Sequence, residues 1–390
     1  MNNEDDRPDL IEAPDYGRRK ACAALGAWGI GLAASPSVAA QSWGGLFGGW
    51  GGGVTRSKNG MLIRERVLHS DNHPAAWNIA WSNDSRYVAT KSRDDENGHD
   101  LWDTTTGTVA RQLHGARGTG AGQRESLAFS PNDRWLLTQA YVWDLETGGQ
   151  RVLFEKYPFA NTVAYSADGS LAVAAVDYDP RAPRNGHAIV VFDTATWERI
   201  QTVYLGKFRT SILFVRGKGE SVLVIGSSAE GNSYRAEIRI VDVGSSDSPR
   251  VLWRFDRNRG MVFSSVHPSR EELIFCTGLA KNDPENSGAW IIPLTATEHL
   301  RAEPIKVASG VITDCHYLLD GRFVLLEREY SDGRTALEIL DRESLKEVDS
   351  MVSSAPGLTM RPNRDGQRLA IWTFDKGLGQ FEFSIWSIRR

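Results

Sequence analysis

The sequence has few cysteines, an ordinary number of histidines and no excess of basic residues, so its composition gives no sign of a disulfide framework, a metal centre or a nucleic-acid interface. Among 390 residues there are 3 cysteines and 8 histidines, and 45 basic residues balance 49 acidic ones. A formal net charge of −4 argues against a surface that neutralises many phosphates, so nucleic acid is not an expected partner. No Gly-x-Ser-x-Gly motif occurs, and the glycine-rich run 115–122 lacks the strand-turn-helix setting of a phosphate loop. We therefore expect no catalytic residues and no cofactor.

The few cysteines leave one possible pair in the folded region. Cys22 lies in an N-terminal segment, whereas Cys276 and Cys315 lie in apolar, strand-like runs. A chain long enough to bury a large core does not need a disulfide, so two buried thiols are the simpler interpretation. A disulfide between them is the alternative.

A long hydrophobic run is also absent. A transmembrane helix needs about 20 strongly apolar residues, whereas residues 21–34 are rich in alanine and glycine. The pair Arg18-Arg19 precedes this run, and small residues end it at Ala40, so the three parts of an export signal are present. We predict an export signal over residues 1–40, with cleavage after Ala40 and a periplasmic product.

The arginine pair resembles that of twin-arginine signals, which export folded proteins, and a Sec route stays open. In the alternative location, an uncleaved signal anchors the protein in the inner membrane by residues 21–40. That anchor is the only membrane contact that we expect.

The next segment, residues 41–60, is predicted to be a flexible linker. Its first part reads QSWGGLFGGWGGG, and glycine at this density prevents regular structure. Trp43, Phe47 and Trp50 allow a second interpretation, a segment that docks on a partner.

From about residue 61 the chain repeats one pattern of short apolar runs separated by turn residues. The run over 125–148 has the order strand, turn, strand, strand, turn, which is typical of a small antiparallel sheet. An aspartate follows a large apolar residue at the end of one such run in five places: Asp103, Asp144, Asp193, Asp242 and Asp341. A period of 40 to 50 residues with four strands per unit predicts a β-propeller. We expect Trp102 and Trp143 to lie in the core, and Asp103 and Asp144 to cap the turns that follow them.

Seven units can be counted, and the two ends of the chain complete one of them. The first strands begin near Trp77, Ser126, Thr162, Ile212, Val262, Val311 and Leu358. One unpartnered strand at about 61–68 and three strands at the C-terminus together make one sheet, which closes the ring and removes two open edges. The predicted fold is therefore all-β, a seven-bladed β-propeller over residues 61–390 whose last blade is closed by the N-terminal strand.

Two stretches carry a resemblance to a known family. Residues 129–137 with Val142-Trp143-Asp144, and residues 164–171 with 191–193, resemble blades of WD-repeat propellers. The Gly-His step of that family is absent as a regular feature. Trp-Asp ends a third strand only twice, at Trp102-Asp103 and at Trp143-Asp144. The chain is thus similar to a divergent bacterial WD-repeat protein, and also to TolB-like propellers. The resemblance implies a rigid protein-binding repeat protein.

The loops that join second to third strands, and one blade to the next, lie on one face of such a propeller. Here they are long and carry charges of both signs, whereas the opposite turns are short. Elaborated loops on a rigid scaffold are where binding usually occurs. We therefore predict a non-enzymatic interaction scaffold of the bacterial cell envelope that binds a protein or peptide through this face. The predicted partner-binding residues are Asp94, Asp95, Arg117, Arg124, Arg181, Arg184, Arg209 and Arg257.

Two other classes of function stay open. One is a periplasmic hydrolase, lactonase or amine-dehydrogenase-like enzyme that uses the central channel, and the other is a ligand sensor. Residues 94–100 resemble part of a calcium loop, but Gly98 is misplaced and no acid closes the loop. The histidines at 73, 99, 114 and 187 lack ligand spacing, so no metal site is predicted.

Overall fold

The structure is a computed structural model that describes residues 56–68, 79–91, 98–114, 127–138, 141–154, 160–176, 187–216, 218–230, 233–258, 261–277, 287–294, 304–353, 359–375 and 380–389. Within these ranges every helix or strand is a β-strand. No helix with the length and hydropathy to cross a membrane is found in the described part of the chain.

The strands follow one another at short intervals along the chain. In order they are β1 Leu62–Leu68, β2 Ile79–Trp81, β3 Tyr87–Lys91, β4 His99–Asp103, β5 Thr108–Leu113, β6 Ala128–Phe129, β7 Trp135–Leu137, β8 Tyr141–Asp144, β9 Gln150–Val152, β10 Ala160–Tyr165, β11 Leu171–Val176, β12 His187–Asp193, β13 Arg199–Gly206 and β14 Phe208–Arg216. The second half comprises β15 Ser221–Glu230, β16 Ser233–Asp242, β17 Arg250–Asn258, β18 Met261–Val266, β19 Glu272–Thr277, β20 Gly288–Pro293, β21 Ile305–Ser309, β22 Val311–Leu318, β23 Phe323–Glu329, β24 Thr335–Asp341, β25 Glu347–Ser353, β26 Thr359–Pro362, β27 Arg368–Asp375 and β28 Gln380–Ile388.

These strands form seven four-stranded antiparallel sheets, which we call blades. Blades 1 to 6 each use four consecutive strands, from β2–β5 through β22–β25, and blade 7 has the order β26-β27-β28-β1. The first strand of every blade contacts the first strands of both neighbouring blades, and β26 of blade 7 contacts β2 of blade 1. The first strands therefore form a closed inner ring. This arrangement is a seven-bladed β-propeller, as the sequence predicts.

The core is divided among the seven interfaces between neighbouring blades, each of which holds one apolar cluster. Trp102 is fully buried between blades 1 and 7, where its ring meets the edge of Phe383 at a centroid distance of 5.7 Å. Its indole N–H donates to Thr90 Oγ1 at 2.9 Å, so burial leaves no unsatisfied donor. Trp143 is buried between blades 1 and 2. The prediction that both tryptophans lie in the core is confirmed.

The ring is closed by the N-terminal strand and by the segment just before it. Strand β1 pairs with β28 from Leu62 opposite Ile388 to Leu68 opposite Phe383, so the two ends of the chain share blade 7. Residues 57–61 then reach β25 of blade 6, where the buried carboxylate of Asp349 accepts hydrogen bonds from them. The predicted closure over residues 61–68 is confirmed, and its contact with a second blade is an additional feature.

Candidate functional site

Because all strands are antiparallel, the connections divide between two faces of the ring. We call one the turn face, which carries the connections from first to second and from third to fourth strands: 82–86, 104–107, 130–134, 145–149, 166–170, 194–198, 217–220, 243–249, 267–271, 294–304, 319–322, 342–346 and 363–367. The other is the loop face, which carries second-to-third and blade-joining connections: 69–78, 92–98, 114–127, 138–140, 153–159, 177–186, 207, 231–232, 259–260, 278–287, 310, 330–334, 354–358 and 376–379.

On the turn face, one polar side chain organises the hairpin between first and second strands in blades 1, 2, 3 and 7. Ser130 Oγ accepts the backbone N–H of Trp135 at 2.9 Å and bonds Asn132 at 2.7 Å. Ser82, Ser166 and Asn363 accept the equivalent N–H groups of blades 1, 3 and 7 at 2.8 to 2.9 Å. These polar groups are used within their own turns, because a short reversal leaves backbone donors that need acceptors.

The repeated aspartates at the ends of third strands likewise accept hydrogen bonds from the backbone of the turns that follow them. Asp103 Oδ1 accepts from the backbone of Thr105 and Thr106, and Asp193 Oδ1 accepts from Thr196 at 2.9 Å. Hydrogen bonds from Thr105 lower the pKa of Asp103, and the backbone N–H of Thr196 lowers the pKa of Asp193. Asp144 accepts from the turn that follows it in the same way. The prediction that Asp103 and Asp144 cap their turns is confirmed, and these carboxylates have a structural role.

Blade 5 departs from this pattern. Its third strand places Pro293 opposite Glu272, the position where Asp193 of blade 3 lies opposite Leu171. The missing aspartate accounts for the double interval between Asp242 and Asp341 in the sequence. Without the capped turn, the connection 294–304 is long. The expectation that all turn-face connections are short is therefore wrong for blade 5.

Most predicted partner-binding residues lie outside the described residues: Asp94, Asp95, Arg117, Arg124, Arg181 and Arg184. Arg209 and Arg257 lie in β14 and β17, and their side chains are not among those that the structure describes. The role of these eight residues in binding stays a prediction.

Arg209 and Arg257 were expected in loops that join blades, but the structure places both of them in strands. Only Lys207 separates β13 from β14, and only residues 259–260 separate β17 from β18. β14 begins directly after Lys207 because it is already paired with β15 there, from Phe208 opposite Ser228, with one register shift between Thr210 and Ile212. The longest intervals between strands at this face are instead 69–78, 92–98, 114–127, 177–186 and 278–287, most of whose residues lie outside the described ones. They lie between blades 7 and 1, within blade 1, between blades 1 and 2, and within blades 3 and 5.

Blade 4 holds a buried carboxylate between two arginines. Glu237 is fully buried, and its oxygens accept from Ser228 Oγ at 2.6 Å, from Arg239 Nε at 2.8 Å and from Arg254 Nε at 2.7 Å. Burial raises the pKa of Glu237, but Ser228 and Arg239 outweigh it and the net direction is downward. This carboxylate is ionised and accepts from three side-chain donors. It therefore orients the arginines and is not available as a catalytic base.

A second charged group lies on the inner ring, where blades 6 and 7 meet. Asp314 on β22 pairs with His316 Nε2 at 3.0 Å and with Arg361 Nη1 at 2.7 Å. Burial raises the pKa of Asp314, yet the neighbouring His316 and Arg361 lower it more strongly, so the net pKa is below the usual range. This group was not predicted from the sequence, because Arg361 comes from another blade. The sequence signal for this group is the alternation of side chains along β22, which places Asp314 and His316 on the same side of the strand.

A third group connects blades 5 and 6 at the turn face. Glu272 accepts from Arg342 Nη2 at 2.6 Å and from Tyr317 Oη at 3.0 Å. His267 lies beside Tyr317 with ring centroids 4.8 Å apart, and burial lowers the pKa of His267. Gly321 packs directly on the His267 ring, with no room there for a side chain. This group fixes the interface.

No metal site emerges from the described residues. They contain no group of three or more histidine, cysteine, aspartate or glutamate side chains able to hold a metal ion. His99 is buried in β4, His114 follows β5 and His187 begins β12, while His73 lies outside the described residues. A cleft of about 250 Å³ lies on the turn face between blades 2 and 3, lined by Ser130, Pro131, Asn132, Trp135, Asp168, Gly169 and Thr194.

Comparison with known proteins supports the fold. No family model matches the sequence, and no curated protein matches it. Among solved structures, a chain of the hydrazine synthase of Kuenenia stuttgartiensis superposes with a TM-score of 0.58 and 15% sequence identity, covering 82% of this chain and 98% of that one. At this identity the likeness concerns the propeller fold alone. The class of protein that the fold defines is a seven-bladed β-propeller.

Proposed function

We propose that this propeller is a non-enzymatic interaction scaffold of the bacterial cell envelope, and that a protein or peptide partner binds its loop face. The observation that carries the proposal is the contrast between the two faces. On the turn face, serines and aspartates are used within their own hairpins. The long connections at the loop face, within blades 1, 3 and 5 and between blades 1 and 2, have sequences rich in both charges. Binding residues concentrate in such loops because the scaffold below them is rigid.

The buried charges support a scaffold over an enzyme that uses the channel. Catalysis needs an acid or base with unused capacity near a cavity. On the inner ring, the carboxylate of Asp314 is occupied by His316 and Arg361. The carboxylates of Glu237 and Glu272 are likewise held by arginines. Such groups stabilise the ring, although the propeller fold by itself hosts enzymes as well as binding proteins.

Charge reversal tests the proposed face. Arg117→Glu, Arg181→Glu and Arg257→Glu change the loop face, and Lys218→Glu is the matched control because Lys218 is exposed on the turn face. Each tagged variant is cross-linked in the envelope of a Gram-negative host, and the captured proteins are quantified against wild type by mass spectrometry. We expect specific partners to be lost with the loop-face variants and retained with Lys218→Glu. Equal capture by all four variants contradicts the proposal.

The proposed compartment has its own test. The full chain is expressed in the same host, the cell is fractionated, and the N-terminal residue of the mature protein is determined by mass spectrometry. A periplasmic product that begins at Gln41 supports export with cleavage after Ala40. An intact Met1 in the cytosol contradicts the envelope location and leaves the loop-face proposal to be tested there.

A further inference from the structure

The two cysteines of the folded region lie against each other across the interface between blades 5 and 6. Cys276 is in β19, where it pairs with Phe263 and Ala289, and Cys315 is in β22 opposite Leu326. Both belong to the apolar cluster of this interface, and both are fully buried. Their thiols are within hydrogen-bonding distance of each other, and no disulfide joins them.

The surroundings give this pair no obvious alternative chemistry. The cluster around the two cysteines is mostly aliphatic, with Ile274, Ile312 and Val324 among its members, and Tyr317 is its aromatic member. A structural metal site needs further thiolate or imidazole ligands, and no such group exists among the described residues. Cys22 lies in the segment predicted to be removed on export, which leaves two cysteines in the mature chain.

We propose that Cys276 and Cys315 are a disulfide-forming site that joins blade 5 to blade 6 when the protein meets a small-molecule or protein disulfide as oxidant. The thiolate of one cysteine attacks the oxidant disulfide, forms a mixed disulfide and releases one thiolate. The second cysteine, after losing its proton, attacks the protein sulfur of that mixed disulfide and releases the other. Two protein thiols are oxidised, the oxidant disulfide is reduced to two thiols, and the protons pass to the released thiolates.

The reaction is slow in the folded protein. Burial raises the pKa of Cys315 well above its ordinary value, and the contact with Cys276 raises it further. The thiolate is the reactive form, so its small population and lack of access both limit the rate. The bond therefore forms during folding or when blades 5 and 6 separate briefly. Once buried, it is protected from reductants for the same reason.

A disulfide at this position would stabilise blade 5. It encloses the chain from Cys276 to Cys315, which contains the two long connections 278–287 and 294–304. Blade 5 is also the blade in which Pro293 replaces the turn-capping aspartate. A cross-link over a long enclosed segment removes conformational freedom from the unfolded chain, and here it does so at the least regular blade. This disulfide is independent of the proposed function, because its formation needs no binding partner.

The test uses the full chain with Cys22→Ala, so that only the two cysteines of interest remain. The reduced protein is incubated with oxidised glutathione, in buffer and in denaturant at the foot of the unfolding transition. Free thiols are then alkylated under denaturing conditions, and intact mass and non-reduced peptides are measured. We expect loss of two hydrogen atoms, a peptide pair joining Cys276 to Cys315, faster reaction in mild denaturant, and a Tm higher by about 5 °C.

Serine variants provide the control. Cys276→Ser and Cys315→Ser should each retain one thiol or carry one glutathione adduct, with no loss of two hydrogen atoms and no rise in Tm on oxidation. Two alkylatable thiols in the wild-type pair after oxidation in mild denaturant overturn the proposal, and so do separate glutathione adducts on each cysteine. Because the mass measurement is made on the unsubstituted pair, it decides the matter even where a serine variant fails to fold. It involves no partner, so its failure is distinct from failure of the loop-face proposal.

Discussion

Removing the carboxylate of Asp349 tests how the ring is closed. This side chain is fully buried in β25, and it accepts from Ser57 Oγ, from the Asn59 N–H at 2.7 Å and from the Met61 N–H at 2.8 Å. Asp349→Ala leaves these three donors of the N-terminal segment without their charged acceptor. A hydrogen bond to a charged group contributes about 1.5–3 kcal/mol. Taking the lower end of this range for all three bonds, we expect a loss of about 4–5 kcal/mol, in the range found when buried charged networks are broken.

Urea unfolding followed by tryptophan fluorescence measures the loss. With a slope of about 3 kcal/mol/M, the midpoint should fall by about 1 M or more. Asp332→Ala is the matched control, since Asp332 is an exposed aspartate paired only with the exposed Arg334, and its midpoint should not move measurably. Amide exchange adds a local measurement: protection at Asn59 and Met61 should be lost in Asp349→Ala and kept in blade 2. An Asp349→Ala midpoint equal to that of the wild type would contradict the prediction that Asp349 stabilises the closure of the ring.

The other predictions concern the interface between blades 5 and 6. Gly321→Ala places a methyl group on the His267 ring at a φ of +86°, whereas Gly333→Ala has a φ of +82° and open space. Both should lose about 1–2 kcal/mol from backbone strain, and Gly321→Ala about 1–3 kcal/mol more from overpacking; equal losses in urea melts would disprove the packing claim. Burial raises the pKa of Glu272, but Arg342 outweighs burial and the net pKa is lowered, so its contribution to stability is present above about pH 4.3 and lost as pH falls below it. The Tm deficit of Glu272→Gln relative to wild type should therefore shrink between about pH 5 and 3, and a constant deficit would contradict it.

The blades and their closure were predictable because they depend on local signals. Each hairpin has its own turn residues, and one strand too many at the start matches one strand too few at the end. The aspartates of the turns were predictable for the same reason, since Asp103 and Asp144 bond residues two and three positions further on.

The charged clusters were not predictable, because their members come together only when blades pack. Asp314 meets Arg361 from the next blade, Glu272 meets Arg342, and Asp349 meets the N-terminal segment across almost the whole chain. Strand length in blade 4 was also missed, since it depends on how far β14 and β15 stay paired. In a sequence, charged residues such as Arg209 are typical of loops. They also occur in the strands of long hairpins, so the charge alone does not distinguish the two.

The most direct test of the account compares the two faces in the living cell. A photo-cross-linking amino acid is placed at Arg117, Arg181 or Asp332 on the loop face, and at Lys218 or Asp365 on the turn face, in the full chain expressed in the envelope. We expect discrete cross-linked species from the loop-face positions and none from the turn-face positions. Cross-links from the turn face alone, or from neither face, would contradict the central claim that the loop face binds a partner.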